Sequence, residues 1–178
     1  CYRVSDEVAG LYDLVEGKFY HCPYEKNITY PGQEKALVVA NAGIVVNADT
    51  GEIYYGQHID RRHGQASMTK IMTCILTVEN VDVNERALVA IDMDHDDGSS
   101  MNLVTGEQHV IDDVLYGMML PSGNDAAQLL ARTVGTKLGG NFGTFVDMMN
   151  AKAHELGMIN TVYESPQGGY QTTAYDYA

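Results

Sequence analysis

Basic residues are scarce in this chain. Eleven Lys and Arg stand against 24 Asp and Glu, a formal net charge of −13. A nucleic-acid partner, which needs clustered Lys and Arg to meet phosphate, is disfavoured, and the acidic surface reads as solubility rather than as a binding feature. Long apolar runs are missing as well. No stretch of roughly 18 apolar residues occurs, so no segment reads as a membrane span. The first residue is Cys1 rather than Met, which sets the numbering after a processing site or chain boundary, and a signal peptide is not visible. Cysteines number only three. Cys74 lies in an apolar helical run and reads as an inert buried thiol. Cys1 and Cys22 could pair in an oxidising compartment, and an amino-terminal cysteine is also an acceptor for lipid.

What is present is an ordinary globular composition. The 178 residues are 45% hydrophobic and 20% charged, enough for one domain with a real core and too few to argue for two. Residues 1–35 are polar, aromatic and irregular, broken by Pro23, Pro31 and Gly32. They read as an N-terminal extension with room for one short helix. Residues 36–178 carry the pattern of a folded domain. A strand over 42–47, a turn over 48–51 and a partner strand over 52–56 make a hairpin. A helix is expected over 67–79 with Ile71, Ile75 and Val78 on its core face. Residues 82–108 read as loop-rich. A helix bearing Ile111, Val114, Leu115 and Met118 should end before Pro121. Ser122-Gly123-Asn124 then connects to a helix from Asp125 to about Val134, with Asn124 a candidate N-cap. A further helix should start at the N-cap Asn141, run through Phe142, Phe145, Val146, Met149 and Leu156, and stop at Gly157. Thr173-Ala174-Tyr175-Asp176 reads as a helix start that is cut in its first turn, as in a truncated text.

Two short stretches carry chemistry. Ser67 and Lys70 are three apart at the start of a helix, so they share a face with Cβ atoms roughly 5–6 Å apart. A nucleophilic serine needs a neighbouring base, and at the helix amino terminus free N–H groups face an incoming carbonyl oxygen. An ordinary lysine titrates about 3.4 units above pH 7, a handicap of ~4.6 kcal/mol for a base. Burial or a second cation must therefore lower its pKa. In Ser122-Gly123-Asn124 the serine hydroxyl can relay a proton and the Asn amide can bond a peptide backbone. By itself each stretch has a bland reading, a solvated helix face for the first and an inter-helix turn for the second.

Several stretches in order carry a resemblance: Asn47-Ala48-Asp49-Thr50-Gly51, Gln65-Ala66-Ser67-Met68-Thr69-Lys70-Ile71-Met72-Thr73, Gly98-Ser99-Ser100-Met101, Leu120-Pro121-Ser122-Gly123-Asn124-Asp125-Ala126-Ala127 and Met149-Asn150-Ala151-Lys152-Ala153. Leu156-Gly157-Met158 and Thr172-Thr173-Ala174-Tyr175-Asp176 continue it. Together they resemble the serine D-alanyl-D-alanine carboxypeptidases, the low-molecular-mass penicillin-binding proteins of bacterial cell-wall metabolism, from about Ala36 to Ala178. The resemblance implies an α/β (α+β) fold of the β-lactamase/transpeptidase type, a sheet packed by helices plus a helical region. It implies Ser67 as the nucleophile that becomes the acyl-enzyme, Lys70 as general base, Ser122 as proton relay to the departing D-alanine and Asn124 as holder of the stem peptide. The Ser67 N–H should give half of an oxyanion hole. The implied substrates are peptidoglycan stem peptides ending in D-Ala-D-Ala, the implied inhibitors β-lactams, and the implied location is outside the cytoplasm, with no metal or organic cofactor.

The departures count equally. Gln65 stands where the family usually has Pro, which should alter only the approach to the helix. Ser165-Pro166-Gln167-Gly168-Gly169 replaces a usual Asn-Pro-His-Gly-Leu. The family's third motif, Lys-Thr-Gly, does not occur in the sequence. Its lysine grips the substrate carboxylate and its strand supplies the second oxyanion donor, worth about 10²–10³ in rate, so these 178 residues read as the poorly active front portion of a larger enzyme. Three rival readings remain open. A serine β-lactamase would carry Ser-Asp-Asn and a Glu-x-x-Leu-Asn that Glu164 does not begin. A degenerate, non-catalytic module would bind peptidoglycan or a partner. A calcium loop at Asp92, Asp94 and Asp96 has Asp97 where Gly is needed and Leu103 where Glu is needed. His58, His63 and His95 lack zinc-ligand spacing.

Overall fold

A computed structural model of the chain describes residues 28–29, 39–90, 98–169 and 171–178. The described residues fall into two compact units. One takes the chain up to His63 with Ala153–Thr161 and Gln171–Ala178, and the other takes Gly64–Lys152 with Val162–Tyr170. The proposed pairing of Cys1 with Cys22, His95 and the acidic run Asp92 to Asp97 lie outside the described residues.

The first unit is built on a three-stranded antiparallel sheet of order β1-β3-β2, from β1 (Ile28–Thr29), β2 (Gly43–Val46) and β3 (Ile53–Gln57). The hairpin expected at 42–56 is present. Its turn is closed by Asn47, whose Oδ1 accepts from the N–H groups of Asp49 and Thr50 at 2.9 and 3.0 Å, and by Gly51, whose φ of +69° an L side chain would resist. β1 was not expected: two residues are too few for alternation to register. Ile53 and Ile59 make the core of this unit with Ile44, Val46 and Tyr175 packed on them. Tyr175 belongs to the short helix α5 (Ala174–Tyr177), whose N-cap Thr173 accepts from the Asp176 N–H.

The second unit is mainly helical. It holds α1 (Thr69–Asn80), α2 (Ile111–Met119), α3 (Asn124–Lys137) and most of α4 (Phe142–Glu155), with a two-stranded sheet of β4 (Arg86–Leu88) and β5 (Gln108–Val110). α3 packs against both α1 and α2. It can do so because Ala126, Ala127, Leu129, Leu130, Ala131 and Val134 are all fully buried, the small residues letting neighbours approach closely. The expected core residues Ile111, Val114, Leu115 and Met118 of α2 are buried as well, and Asp112 and Asp113 favour its first turn through the helix dipole. α4 opens on a reciprocal cap, with Asn141 Oδ1 accepting from Thr144 N–H and Thr144 Oγ1 accepting from Asn141 N–H. It stops before Gly157, whose φ is +79°.

The region 82–108, expected to be loop-rich, also holds a short pairing of β4 with β5, Arg86 opposite Val110 and Leu88 opposite Gln108. Three expectations need correction. α4 ends at Glu155 and does not include Leu156. Cys74 is half-buried rather than buried; partial burial still pushes its thiol pKa up, away from reactivity. The largest correction concerns α1. Ile71 and Val78 are 44% and 51% exposed, whereas Lys70, Thr73 and Thr77 are buried with Met72 and Leu76. The buried face is the partly polar one, and most of its polar groups are bonded: Thr73 Oγ1 donates to Pro166 O at 2.7 Å and Thr77 Oγ1 to Thr73 O at 2.7 Å, while Thr69 Oγ1 is buried without a partner among the described residues.

Tyr163, 2% exposed, shows how the loop after α4 is fixed. The Asn150 side chain accepts from Tyr163 N–H at 2.9 Å and donates to Tyr163 O at 2.8 Å. Asn150→Ala strands both groups, at about 1–3 kcal/mol each. The expected outcome is a Tm lower by about 10 °C in scanning calorimetry, and an unchanged Tm would show that the side-chain bridge carries no stability.

Candidate active site

Ser67 and Met68 form a turn immediately before α1, two residues later than the helix start expected from the sequence. Bonds from Lys70 N–H to Ser67 O and from Ile71 N–H to Met68 O wind this turn into the helix. The serine is therefore exposed at the amino end of α1, and Lys70, one turn on, is 2% exposed. Ala66, just before Ser67, has φ +46°, a conformation that costs an L residue on the order of 1–3 kcal/mol and is held only where surroundings enforce it.

Ser122 is in the same unusual region, with φ +63°. It lies in the tight connection between α2 and α3. Gly123, not Asn124, is the N-cap of α3, and Asn124 is the first helical residue. Gly123 is required here: a Cβ at this position would stand 2.6 Å from Gly117 O. An Asp side chain at the middle position, as in the Ser-Asp-Asn of a serine β-lactamase, would meet that carbonyl in this connection.

The fold brings all four residues singled out from the sequence to one point. Lys70 Nζ lies 3.3 Å from Ser67 Oγ, 3.2 Å from Ser122 Oγ and 2.8 Å from Asn124 Oδ1. A fourth partner, Gln167 O at 3.0 Å, was not foreseen. It is a backbone carbonyl, so no side-chain pattern could announce it. Burial lowers the pKa of Lys70, the direction in which an amine becomes a usable base near neutrality. Chemically, the cluster offers an exposed hydroxyl, a desolvated amine within reach of it, and a second hydroxyl within reach of the same amine.

Asp125 was read only as a helix residue, yet it organises one wall. Its carboxylate is buried and accepts from Ser100 Oγ at 2.7 Å and from the N–H groups of Met101, Leu103 and Ala126 at 2.9 Å each. Burial alone would raise its pKa. The bonds from Leu103, Met101, Ser100 and Ala126 together outweigh that, and the carboxyl sits below its usual range. The loop so held gives Ser99 O to the Asn124 N–H at 2.8 Å. The signal was available in Gly98-Ser99-Ser100-Met101 and Asp125, but nothing in the sequence paired them. Among the described residues, no group of three or more His, Cys, Asp or Glu could hold a metal ion.

Comparison with known proteins gives the same direction. A family profile described as D-alanyl-D-alanine carboxypeptidase, the peptidase S11 family, matches residues 29–178. D-alanyl-D-alanine carboxypeptidase DacF of Bacillus subtilis (strain 168) is 33% identical over 148 residues, 78% of this chain and 37% of the relative. The D-alanyl-D-alanine carboxypeptidase of Streptomyces sp. (strain K15) is 33% identical over 142 residues, 75% of this chain and 49% of the relative. The chain thus spans less than half the length of these curated relatives. Among solved structures, the Streptomyces K15 DD-transpeptidase is similar with a TM-score of 0.75 at 29% identity, over 81% of this chain and 60% of that one. The D-alanyl-D-alanine carboxypeptidase DacD from Francisella tularensis gives 0.74 at 30% identity, over 82% of this chain and 36% of that one. The mixed helix-and-strand fold expected from the sequence is the fold of these DD-peptidases and transpeptidases. By sequence and by fold together, the chain belongs to the serine D-alanyl-D-alanine carboxypeptidase family.

Proposed function

We propose that this protein removes the terminal D-alanine from peptidoglycan stem peptides through an acyl-enzyme on Ser67, in the bacterial cell envelope outside the cytoplasm, and that β-lactams acylate the same serine. The observation that carries the reading is the position of Lys70 Nζ within hydrogen-bond range of both Ser67 Oγ and Ser122 Oγ while buried. In the proposed reaction the neutral Lys70 amine takes the Ser67 proton as Oγ bonds to the carbonyl carbon of the penultimate D-alanine. The proton passes through Ser122 to the nitrogen of the terminal D-alanine as the peptide bond breaks, and the free amino acid leaves. Water, deprotonated by the same amine, then attacks the ester, releasing the shortened peptide and restoring Ser67. Asn124, bonded to Lys70 through Oδ1, keeps its Nδ2 for a substrate carbonyl. The Ser67 N–H is the oxyanion donor these residues supply. No helix among the described residues is long and apolar enough to cross a membrane.

The test is to incubate the full-length protein with penicillin, digest it and map the adduct by mass spectrometry, alongside D-alanine release from a pentapeptide. The expected adduct is on the peptide containing Ser67, with D-alanine released in the absence of drug. An adduct on another residue would move the nucleophile. Binding of peptidoglycan with neither adduct nor release would favour the non-catalytic module.

A further inference from the structure

We infer that Gln65 and Gly169 form a lock that holds the 162–169 loop on α1 and so fixes the carbonyl against which Lys70 is set. Gln65 is a long polar residue two positions before Ser67, and it is 1% exposed. Its Nε2 donates to Val162 O at 2.7 Å, at the start of the loop. At the loop's other end, Gly169 lies flat on the same side chain. A Cβ at 169 would stand 2.1 Å from Gln65 Nε2, 2.3 Å from Cδ and 2.4 Å from Cγ. Only hydrogen fits there, and a buried amide has nowhere to retreat. The backbone of Ala66 bridges antiparallel to that of Gly169, so the residue preceding the serine is tied to the same point.

Between its two anchored ends the loop is tightly folded. Ser165 Oγ donates to Gly168 O at 2.5 Å and accepts from Gly168 N–H at 3.1 Å. This turn presents two successive carbonyls to α1: Pro166 O to Thr73 Oγ1 at 2.7 Å, and Gln167 O to Lys70 Nζ at 3.0 Å. The loop thus meets two residues of the buried face of α1, Lys70 and Thr73. Gln65 donates to the far end of the loop, at Val162 O. It is a positioning residue that acts on Lys70 through the loop, and Gly169 is its steric complement. The sequence expectation that Gln65 alters only the approach to the helix is too weak, since the side chain reaches 97 residues along the chain.

The effect on catalysis rests on the reading of Lys70 as base, so the experiment separates the two. The variants are Gln65→Ala, Gly169→Ala, the double variant, and Gln65→Met, which keeps volume and removes the donor. Each is prepared in the full-length protein. The Lys70 side chain is titrated by NMR through its 13Cε–15Nζ signal, and penicillin acylation is followed against pH. Displacing the loop lets water reach Nζ, which favours the ammonium. Gly169→Ala is therefore expected to move the Lys70 titration and the ascending limb of the acylation profile to higher pH, and to slow acylation at pH 7 at least tenfold. Gln65→Met should shift both in the same direction by less. In the double variant the methyl group added at position 169 no longer meets a glutamine side chain, so most of the Gly169→Ala loss should be recovered. The lock is refuted if Gly169→Ala has the same effect with and without Gln65, or if Gln65→Met and Gln65→Ala lower Tm while leaving the Lys70 titration in place. Should Gly169→Ala not fold, the two Gln65 variants alone decide by the same Lys70 shift. If the wild-type protein is never acylated but the Lys70 titration responds as described, the proposed function fails and the lock stands.

Discussion

Replacing Lys70 by methionine is expected to slow penicillin acylation of Ser67 by about 10³-fold, within the range a positioned general base contributes, and to leave the protein folded. Methionine keeps the length and apolar stem of the side chain and loses only the amine. Stability should change little because two effects oppose. The desolvation penalty of a buried amine disappears, while Gln167 O, Asn124 Oδ1 and Ser122 Oγ lose a donor. Ser122 and Asn124 are only half-buried, so water can replace part of what they lose. Ser67→Ala sets the zero of the same assay, since it removes the atom that would carry the adduct. The pH dependence follows from the direction of the Lys70 shift. Burial disfavours the ammonium, so the base form accumulates at lower pH than for an ordinary lysine, and acylation should rise with pH through that lowered pKa and then level off. Rate constants for a fluorescent penicillin, measured from pH 5 to pH 10 with Tm as the folding control, check both points. Acylation of the Lys70→Met variant at the wild-type rate would remove Lys70 from the role of base.

How much of this was legible in the sequence depended on the range of the interaction. Ser67 and Lys70 were legible because three residues along a helix fix a shared face, a local fact. Ser122 and Asn124 lie 52 and 54 residues from Lys70, and no spacing rule brings them there. They were found through the motif order of a family. The buried face of α1 was misread because periodicity scores apolar side chains. It selected Ile71, Ile75 and Val78, whereas Lys70, Thr73 and Thr77 are buried by virtue of bonds to carbonyls that the sequence does not display. β4 and β5 were missed for a related reason: three-residue strands are too short to show alternation, and their pairing spans some twenty residues. Gln65 and Asp125 were each visible as letters. Their work lies in partners far along the chain, the Val162 carbonyl for one and the 100–103 backbone for the other.

Asp125 carries the largest expected effect on stability. Asp125→Ala removes the acceptor for four donors at once: the Ser100 hydroxyl and the N–H groups of Met101, Leu103 and Ala126. Leu103 and Ala126 are buried, so their N–H groups cannot turn to water. At roughly 1–3 kcal/mol for each stranded donor, with incomplete additivity, the loss should be about 5 kcal/mol, a large share of the 5–15 kcal/mol typical of a domain. Asp125→Asn is the milder variant. One oxygen can still serve Met101 and Ala126, but the new NH₂ faces the Leu103 N–H, and about half the loss should remain. The acid limb gives an independent check. Because the folded carboxyl titrates below its ordinary value, its contribution is fully present above the unfolded pKa, near 3.9, and is lost as pH falls through the folded pKa. Urea midpoints measured from pH 7 down to pH 2 should therefore fall less steeply for Asp125→Asn than for the wild type. A merely structural loss would end there. The latch also delivers Ser99 O to the Asn124 N–H, and Asn124 in turn touches Lys70. Acylation by Asp125→Asn should accordingly drop by more than its unfolded fraction accounts for. If the two match, Asp125 is only a staple for the 98–103 loop, and Asn124 keeps its place without it.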